Sequence, residues 1–497
     1  MFTALRRTFL RFRLEIIVCV SGAAVMTLEV IGSRIIAPYV GTSTFIWTSL
    51  IGVFMLALSI GYWYGGAYAD RHASYASLSK IFLIASCCTG YILFAEFFLP
   101  IIAVLFSDVR IAGVVAGILV FAPATILLGI VSPLAARLRL NELATAGSTV
   151  GRLYAISTVG SIFGTFLGGF ILISYISSRS IIALVGITLA LLSVIAHRNR
   201  ETAFRAVGVI LFIVFLAFFL HSPLRRNDSV VAEIESSYSR MWVTEMKDAE
   251  GTLRTLTNTN RGYQSAMKVS DPVALAAAYT VPIADAAATL PHSPKNILIL
   301  GAGAYSLPKY FNKLYPDARQ TIVEIDPVMT DIAETYFSYE PTANNHIIHE
   351  DARIFLNREK NLDTRYDIIV IDTYSAAISI PFHMVTSEAL AGISKLAADD
   401  GIVLFNIISG VQGKKSAFFH SFARTIAQHF DHIAARQVHS QASLFTTQNI
   451  ILSASHEPLP ATLVPAIDLA GLKNNENIPL FTDQFAPVEL QTNRLVN

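Results

Sequence analysis

Residues Ile297–Tyr310 read ILILGAGAYSLPKY. Four apolar residues in a row are what a strand needs when both faces of its sheet are covered. Gly301 and Gly303 then allow a tight turn and a close approach of backbone to a ligand, and the chain from Ser306 onward opens a helix. Strand, glycine turn and helix in that order begin a nucleotide-binding α/β sheet. The turn lacks the third glycine of a dinucleotide fingerprint, because Ser306 stands there, so by itself it is a weak signal.

The strands after it strengthen the signal. QTIVEID is a second strand ending in Glu324 and Asp326, and Glu324 lies 21 residues after Gly303. At that spacing an acidic group at the end of strand two meets a ribose diol, and a carboxylate can accept from both hydroxyls. NNHIIHEDARIFL places Asp351 after a third strand, RYDIIVIDTYS places Asp372 at the end of a fourth, and GIVLFNI is a fifth. Any one of these acids is ordinarily a helix cap. Four of them at three successive strand ends gather at the carboxyl edge of a parallel sheet, where ligands bind.

Before this unit, VVAEIESSYSRMWVTEM and TLRTLTNTNRGYQSAM alternate in polarity and read as a small β meander. DPVALAAAYTVPIADAAATL is helical by composition.

The rest of the chain has a different solvent. Of 497 residues, 53% are apolar and 15% charged, with a mean hydropathy of +0.52; a soluble domain carries about 25% charged residues. Helix-length apolar blocks fall near 14–37, 43–67, 79–104, 111–136, 153–176, 179–197 and 204–222, each close to the ~20 residues a membrane span needs. A cleaved signal peptide after Arg6, Arg7, Arg11 and Arg13 is excluded by the continuation of apolar blocks beyond the first. GSIFGTFLG repeats glycine at 160, 164 and 168, a flat strip for close helix packing. Glu29 and Arg34 stand inside the first block, either as a self-neutralising pair or as a functional group in the membrane.

The basic connections (Arg6–Arg13, DRHASYASLSK, ARLRLNE and HRNRETAFR) alternate, and the positive-inside rule gathers them in the cytoplasm. Seven spans then leave the polar half outside, whereas Arg225–Arg226 and the nucleoside chemistry favour the cytoplasm, where we expect it. The expected divisions are a transmembrane bundle over 1–222, a β meander and linking helix over 223–290, a Rossmann-like methyltransferase-type domain over 291–470 and a C-terminal tail over 471–497. A net charge of +1 calls for no nucleic acid, and the three cysteines, 19, 87 and 88, give the polar half neither a disulfide nor a thiolate metal site. No metal is expected, and the sequence leaves open whether the chain acts as a homodimer.

ILILGAGAYSLPKY, IVEIDP, HEDAR and DIIVIDTYS resemble the successive motifs of spermidine synthases, which are aminopropyltransferases of methyltransferase-like fold. With GYQSAM, IPFHMVTSEAL and the apolar half, the chain looks like the membrane-embedded spermidine synthase-like proteins of bacterial inner membranes. The resemblance implies decarboxylated S-adenosylmethionine as co-substrate, held by Gly301, Gly303, Glu324, Asp326 and Asp351, with Glu324 on the ribose and Asp351 on the adenine amino group. It implies Asp372 as general base and Gln264, Tyr374 and Ser375 against the amine acceptor. Two positions depart from it. Ala304 stands where the family carries an aspartate for the aminopropyl ammonium, and Ser375 replaces the second acid of its Asp-x-x-Asp pair. The family's tyrosine before the sheet has no clear counterpart, although Tyr279 lies nearby. Ala304 keeps a methyltransferase using ordinary S-adenosylmethionine in contention. Glu29 and Arg34 keep a non-enzymatic reading, polyamine transport with a nucleoside sensor.

Overall fold

The computed structural model describes residues 2–106, 108–140, 146–219, 229–248, 251–259, 262–359, 363–374, 380–463, 467, 469, 471–493 and 495. The chain forms two units, Met1–Asn227 with Glu235–Ser239, and Asp228–Ile234 with Arg240–Asn497.

The first unit is a helical bundle of α1 (Phe2–Val40), α2 (Thr44–His72), α3 (Tyr75–Tyr91), α4 (Ala95–Leu105), α5 (Val109–Val120), α6 (Ala122–Arg139), α7 (Ala146–Phe166), α8 (Ile173–Tyr175), α9 (Ser178–Ala196) and α10 (Arg200–Phe219). Among the described residues six helices are long and apolar enough to cross a membrane, counting Tyr75–Leu105 and Ala146–Tyr175 as continuous. The block expected as one span over 111–136 is bent: the chain breaks at Phe121, and α5 and α6 meet at 59°, which fits a broken span or a re-entrant pair. Pro123, in the first turn of α6, explains the break, since proline lacks the N–H that would carry α5 onward.

The glycine strip does what its spacing implies. A Cβ on Gly160 would lie 1.9 Å from the Cys19 carbonyl oxygen, and one on Gly164 would lie 2.3 Å from that of Ala23. Backbone therefore packs on backbone along α1 and α7. Opposite charges meet where helices cross: Glu15 accepts from Arg139 at 3.1 Å and lies 3.4 Å from Arg152, and Arg179 donates to Glu96 at 3.1 Å. Glu29 and Arg34 do not neutralise one another. Arg34 donates to the Ile173 carbonyl at 3.2 Å, and half-buried Glu29 has no hydrogen bond or ion pair among the described residues.

The second unit begins with a meander, β1 (Val230–Glu235), β2 (Arg240–Asp248), β3 (Gly251–Thr257), β4 (Ser265–Lys268) and β5 (Asp271–Leu275), in sequential order. DPVAL, helical by composition, is instead the edge strand β5, with Met267 opposite Leu275. An edge tolerates Pro272, and pairing overrides alanine's helix preference; only α11 (Thr280–Ala287) is helix.

The rest alternates strand and helix: β6 (Asn296–Leu300), α12 (Ser306–Leu314), β7 (Arg319–Val323), α13 (Pro327–Tyr336), β8 (Asn345–Ile348), α14 (Ala352–Glu359), β9 (Tyr366–Ile371), α15 (Ser387–Leu396), β10 (Ala397–Ser409), α16 (Ala417–Ile426), β11 (His432–Gln437), β12 (Gln448–Ser455) and α17 (Val488–Asn493). The sheet order is β11-β12-β10-β9-β6-β7-β8, parallel from β10 to β8 and antiparallel at β12 and β11. This is a Rossmann-like methyltransferase sheet. Leu298 and Leu300 enter one core and Ile297 and Ile299 the other, which is why the strand reads as an unbroken apolar run. Residues 471–497, expected as a tail, carry Phe481 and Val488 into the core, each 0% exposed.

Gly160→Ala is expected to force α1 and α7 apart and to cost about 1–3 kcal/mol, the usual penalty of overpacking. Gly147→Ala, with nothing within 4 Å of its added Cβ, is expected to be neutral. Thermal unfolding of the two variants in detergent checks this, and equal melting temperatures would contradict the contact.

Candidate active site

The strand order reverses at β6, whose neighbours are β7 and β9. Ligands bind outside the carboxyl ends of strands at such a switch point. The ladder extends one residue beyond each strand end: Gly301 N–H donates to the Val323 carbonyl at 2.9 Å, Asp372 N–H to that of Leu300 at 2.9 Å, and Glu324 N–H to that of Ile348 at 3.0 Å. The sheet thus fixes the backbones of Gly301, Glu324 and Asp372 side by side.

Gly301 has φ +84°, and a Cβ there would lie 2.5 Å from the Asp372 carbonyl oxygen. Gly303 has φ +52°, and its Cβ would lie 2.7 Å from Ser265 Oγ. Both the left-handed backbone and the close neighbours exclude larger residues. Ala304, where an aspartate was expected from the family, is fully buried and donates its N–H to Ser265 Oγ at 3.0 Å. Tyr305, at φ +58°, closes the loop, with its hydroxyl 2.6 Å from Thr330 Oγ1, which is in turn 2.9 Å from His349 Nε2.

Glu324 is 7% exposed. Its Oε2 accepts from Ala302 N–H and its Oε1 from Asp326 N–H, both at 3.0 Å. Burial pushes its pKa above the ordinary carboxylate value, against the lowering by these backbone bonds. The Gly303 N–H favours its charged form as well, so Glu324 ties down the glycine loop. Asp326 and Asp351 do the work that isolated acids at strand ends usually do. Asp326 caps α13 through Val328 N–H at 3.1 Å, and Asp351 Oδ1 caps α14 through Arg353 N–H at 2.8 Å. Asp326 is buried, while Asp351 turns its other oxygen to His383 Nε2 at 3.6 Å.

Asp372 differs from both. Asn406 Nδ2 donates to its Oδ1 at 2.8 Å, and the nearby Tyr279 hydroxyl favours its charged form. Asn406 is 3% exposed on β10, and its Oδ1 accepts from Asn449 of β12 at 2.9 Å. Burial raises the Asp372 pKa to about 6, and Asn406 and Tyr279 restrain the rise. A half-buried carboxylate near that value holds or takes a proton close to neutral pH.

Tyr374 donates its hydroxyl to the Asn406 carbonyl at 3.0 Å, and burial holds its pKa well above 10. Tyr279 donates its hydroxyl hydrogen to the Gln264 carbonyl at 3.3 Å. Gln264 Oε1 and Thr373 Oγ1 are buried without a hydrogen bond among the described residues. Ser375 lies outside the described residues. Sequence reasoning missed Asn406, Asn449, Ser265 and Thr373. A polar residue within the apolar run GIVLFNI was the one signal for Asn406.

No protein-family model matches the chain. The polyamine aminopropyltransferase of Vibrio vulnificus (strain CMCP6) is 30% identical over 213 residues, covering 40% of this chain and 70% of that protein. A probable polyamine aminopropyl transferase of Bifidobacterium longum (strain NCC 2705) is 30% identical over 217 residues, covering 42% and 46%. The eEF1A lysine and N-terminal methyltransferase homolog of Drosophila melanogaster is 29% identical over 119 residues, covering 23% and 18%. The chain thus spans most of the first relative, under half of the second and under a fifth of the third.

Because the Asp372 pKa rises from 3.8 to about 6 on folding, its contribution to stability is present at acid pH and is lost as pH rises through about 6. Asp372→Asn removes that loss while still accepting from Asn406. The variant is expected to melt above wild type at pH 8 and level with it at pH 4, read from thermal unfolding across pH. A difference independent of pH would contradict the buried, proton-holding carboxylate.

Proposed function

The chain belongs to the polyamine aminopropyltransferase family through its C-terminal half, and on that premise we propose that it transfers an aminopropyl group from decarboxylated S-adenosylmethionine to an amine. The observation that carries this reading is Asp372, a half-buried carboxylate at the switch point, held by Asn406 and capping no helix among the described residues.

The residues suit such a co-substrate. Gly301 and Gly303 leave no side chain between the loop and a ligand, Glu324 retains an acceptor direction beside it, and Gln264 Oε1 is a buried acceptor without a hydrogen bond. The bound co-substrate supplies a CH2 carbon activated by a sulfonium: the amine nitrogen bonds to that carbon as the C–S bond breaks, and the electron pair leaves on sulfur as a neutral thioether. A neutral leaving group needs no acid. The amine, however, arrives protonated at neutral pH, and Asp372 binds the ammonium and takes its proton, freeing the lone pair. Asn406 occupies Oδ1, which leaves Oδ2 for the amine.

Ala304 favours a second reading, methyl transfer from ordinary S-adenosylmethionine, because the glycine loop has no carboxylate to prefer the decarboxylated donor. Calorimetric titration with both donors, each followed by assay against amines, separates the two.

We propose further that the bundle spans a membrane as a multi-pass protein, with the bilayer as its partner. Its outward surface supports this: Trp63 and Phe204 are each 82% exposed and Phe218 74%, an apolar exterior that water would penalise. If α5 and α6 dip in and return, six crossings bring the C-terminal half to the side of the N-terminus, the cytoplasm, where the co-substrate is made. The cost is that the basic stretches at 136–142 and 197–205 then face outward. A fluorescent protein fused after Asn497 is expected to fluoresce and a phosphatase fused there to stay inactive; active phosphatase puts the unit outside.

Asp372→Asn is expected to retain nucleoside affinity and to lose at least ~100-fold in turnover. Wild-type turnover should fall as pH drops through about 6, where Asp372 becomes protonated. Asn406→Leu removes a bond that favours the charged form, so its acid limb should move to higher pH. Wild-type turnover in the Asn variant would leave the site without a base.

A further inference from the structure

Asp351 faces a histidine that neither proposed reaction uses. β8 is the neighbour of β7, and Glu324 N–H donates to the Ile348 carbonyl at 3.0 Å, so the sheet sets the ends that carry Glu324 and Asp351 next to one another. Asp351 spends Oδ1 on the start of α14, where Arg353 N–H and Ile354 N–H donate to it at 2.8 and 3.2 Å. Its Oδ2 faces His383 Nε2 at 3.6 Å, too long for a hydrogen bond. Both side chains are partly open to solvent, Asp351 at 29% and His383 at 35%. They face one another without satisfying one another, and a third group can bond to both.

The backbone that carries His383 is held in place. Residues 381–385 make one tight turn, closed by Met384 N–H on the Pro381 carbonyl at 2.9 Å, and Met384 and Val385 enter the core. Arg353 stands in the first turn of the helix that Asp351 caps. Its guanidinium donates to the His383 carbonyl at 2.8 Å, to Thr386 Oγ1 at 3.0 Å and to Asp483 Oδ2 at 2.6 Å. One side chain therefore ties the start of α14 to the His383 backbone, and Asp483 anchors it from the C-terminal segment. The imidazole packs edge-on against Phe382, with ring centroids 5.5 Å apart.

An ionised carboxylate only accepts, and an imidazole nitrogen that faces one carries the hydrogen. The pair thus offers an acceptor and a donor side by side. The adenine edge made of N6 and N7 is their complement, an amino donor next to a ring-nitrogen acceptor. Resting on the nucleoside-binding reading that both proposed donors share, we infer that His383 reads the base, its Nε2–H donating to N7 of adenine while Asp351 Oδ2 accepts from the N6 amino group. A purine with a carbonyl in place of the amino group sets oxygen against the carboxylate and leaves Asp351 without a donor.

The test measures affinity by calorimetry on the full-length protein in detergent. The probes are 5′-methylthioadenosine and its 7-deaza analogue, in which C–H replaces N7 and the amino group is kept. The wild type is expected to bind the analogue about tenfold or more weaker. His383→Leu is expected to bind 5′-methylthioadenosine about tenfold weaker than the wild type does and to hold the two nucleosides alike. Its unchanged affinity for the analogue would show the site intact. His383→Gln keeps an N–H donor and should keep a preference for the nucleoside with N7. Equal affinity of the wild type for the two nucleosides overturns the inference and leaves the nucleoside site standing. An undiminished preference in His383→Leu overturns the assignment to His383. Binding of neither nucleoside by the wild type overturns the nucleoside-binding reading and this inference with it.

Discussion

Two backbone hydrogen bonds past the end of β6 set the geometry of the site. Leu300 accepts from Asp372, and Gly301 donates to Val323. They lock three strand ends into one register, and a one-residue slip would turn Asp372 into the core and Ile371 toward the crevice. The contact is close enough that position 301 has no room for a side chain. Glycine there is a requirement of the strand crossing before it is a requirement of any ligand.

The α/β half was legible because its strands are covered on both faces and so appear as apolar runs with acids at their ends. Glu324, Asp351 and Asp372 could be placed from that alone. Their roles could not be separated, because a capping acid and a proton-accepting acid look alike in one dimension. What distinguishes Asp372 is Asn406, 34 residues away, and no local pattern reports a partner at that range. DPVAL misled for a similar reason: its alanine content favours helix, and pairing with β4 decided otherwise. In the bundle the Gly160–Gly168 strip was readable from its spacing, whereas the 59° break at Phe121 depends on Pro123 and was hidden within an unbroken apolar block.

The acids of the sheet edge divide their work by burial and bonding. Asp326 and Asp351 stabilise helix starts, a contribution of about 0.5–2 kcal/mol each. Glu324 holds the glycine loop through its backbone partners. Asp372 is shielded enough to rise toward neutral pH and is still half-exposed, as the proposed base must be. Its placement costs stability at neutral pH, as expected where chemistry needs a group the fold would rather leave uncharged.

The Asp372–Asn406–Asn449 chain of hydrogen bonds also imposes an order in time. Synthesis runs from the N-terminus, so the glycine loop, Glu324 and the parallel strands emerge well before β12. Until Asn449 arrives, 77 residues after Asp372, the Asn406 amide that bonds Asp372 lacks its partner on β12. A nascent chain, or one cut short before β12, would have its glycine loop and an unaligned Asp372. If Asp372 is the base we propose, the site is silent during its own construction, and its chemistry waits for β12 to slide between β10 and β11.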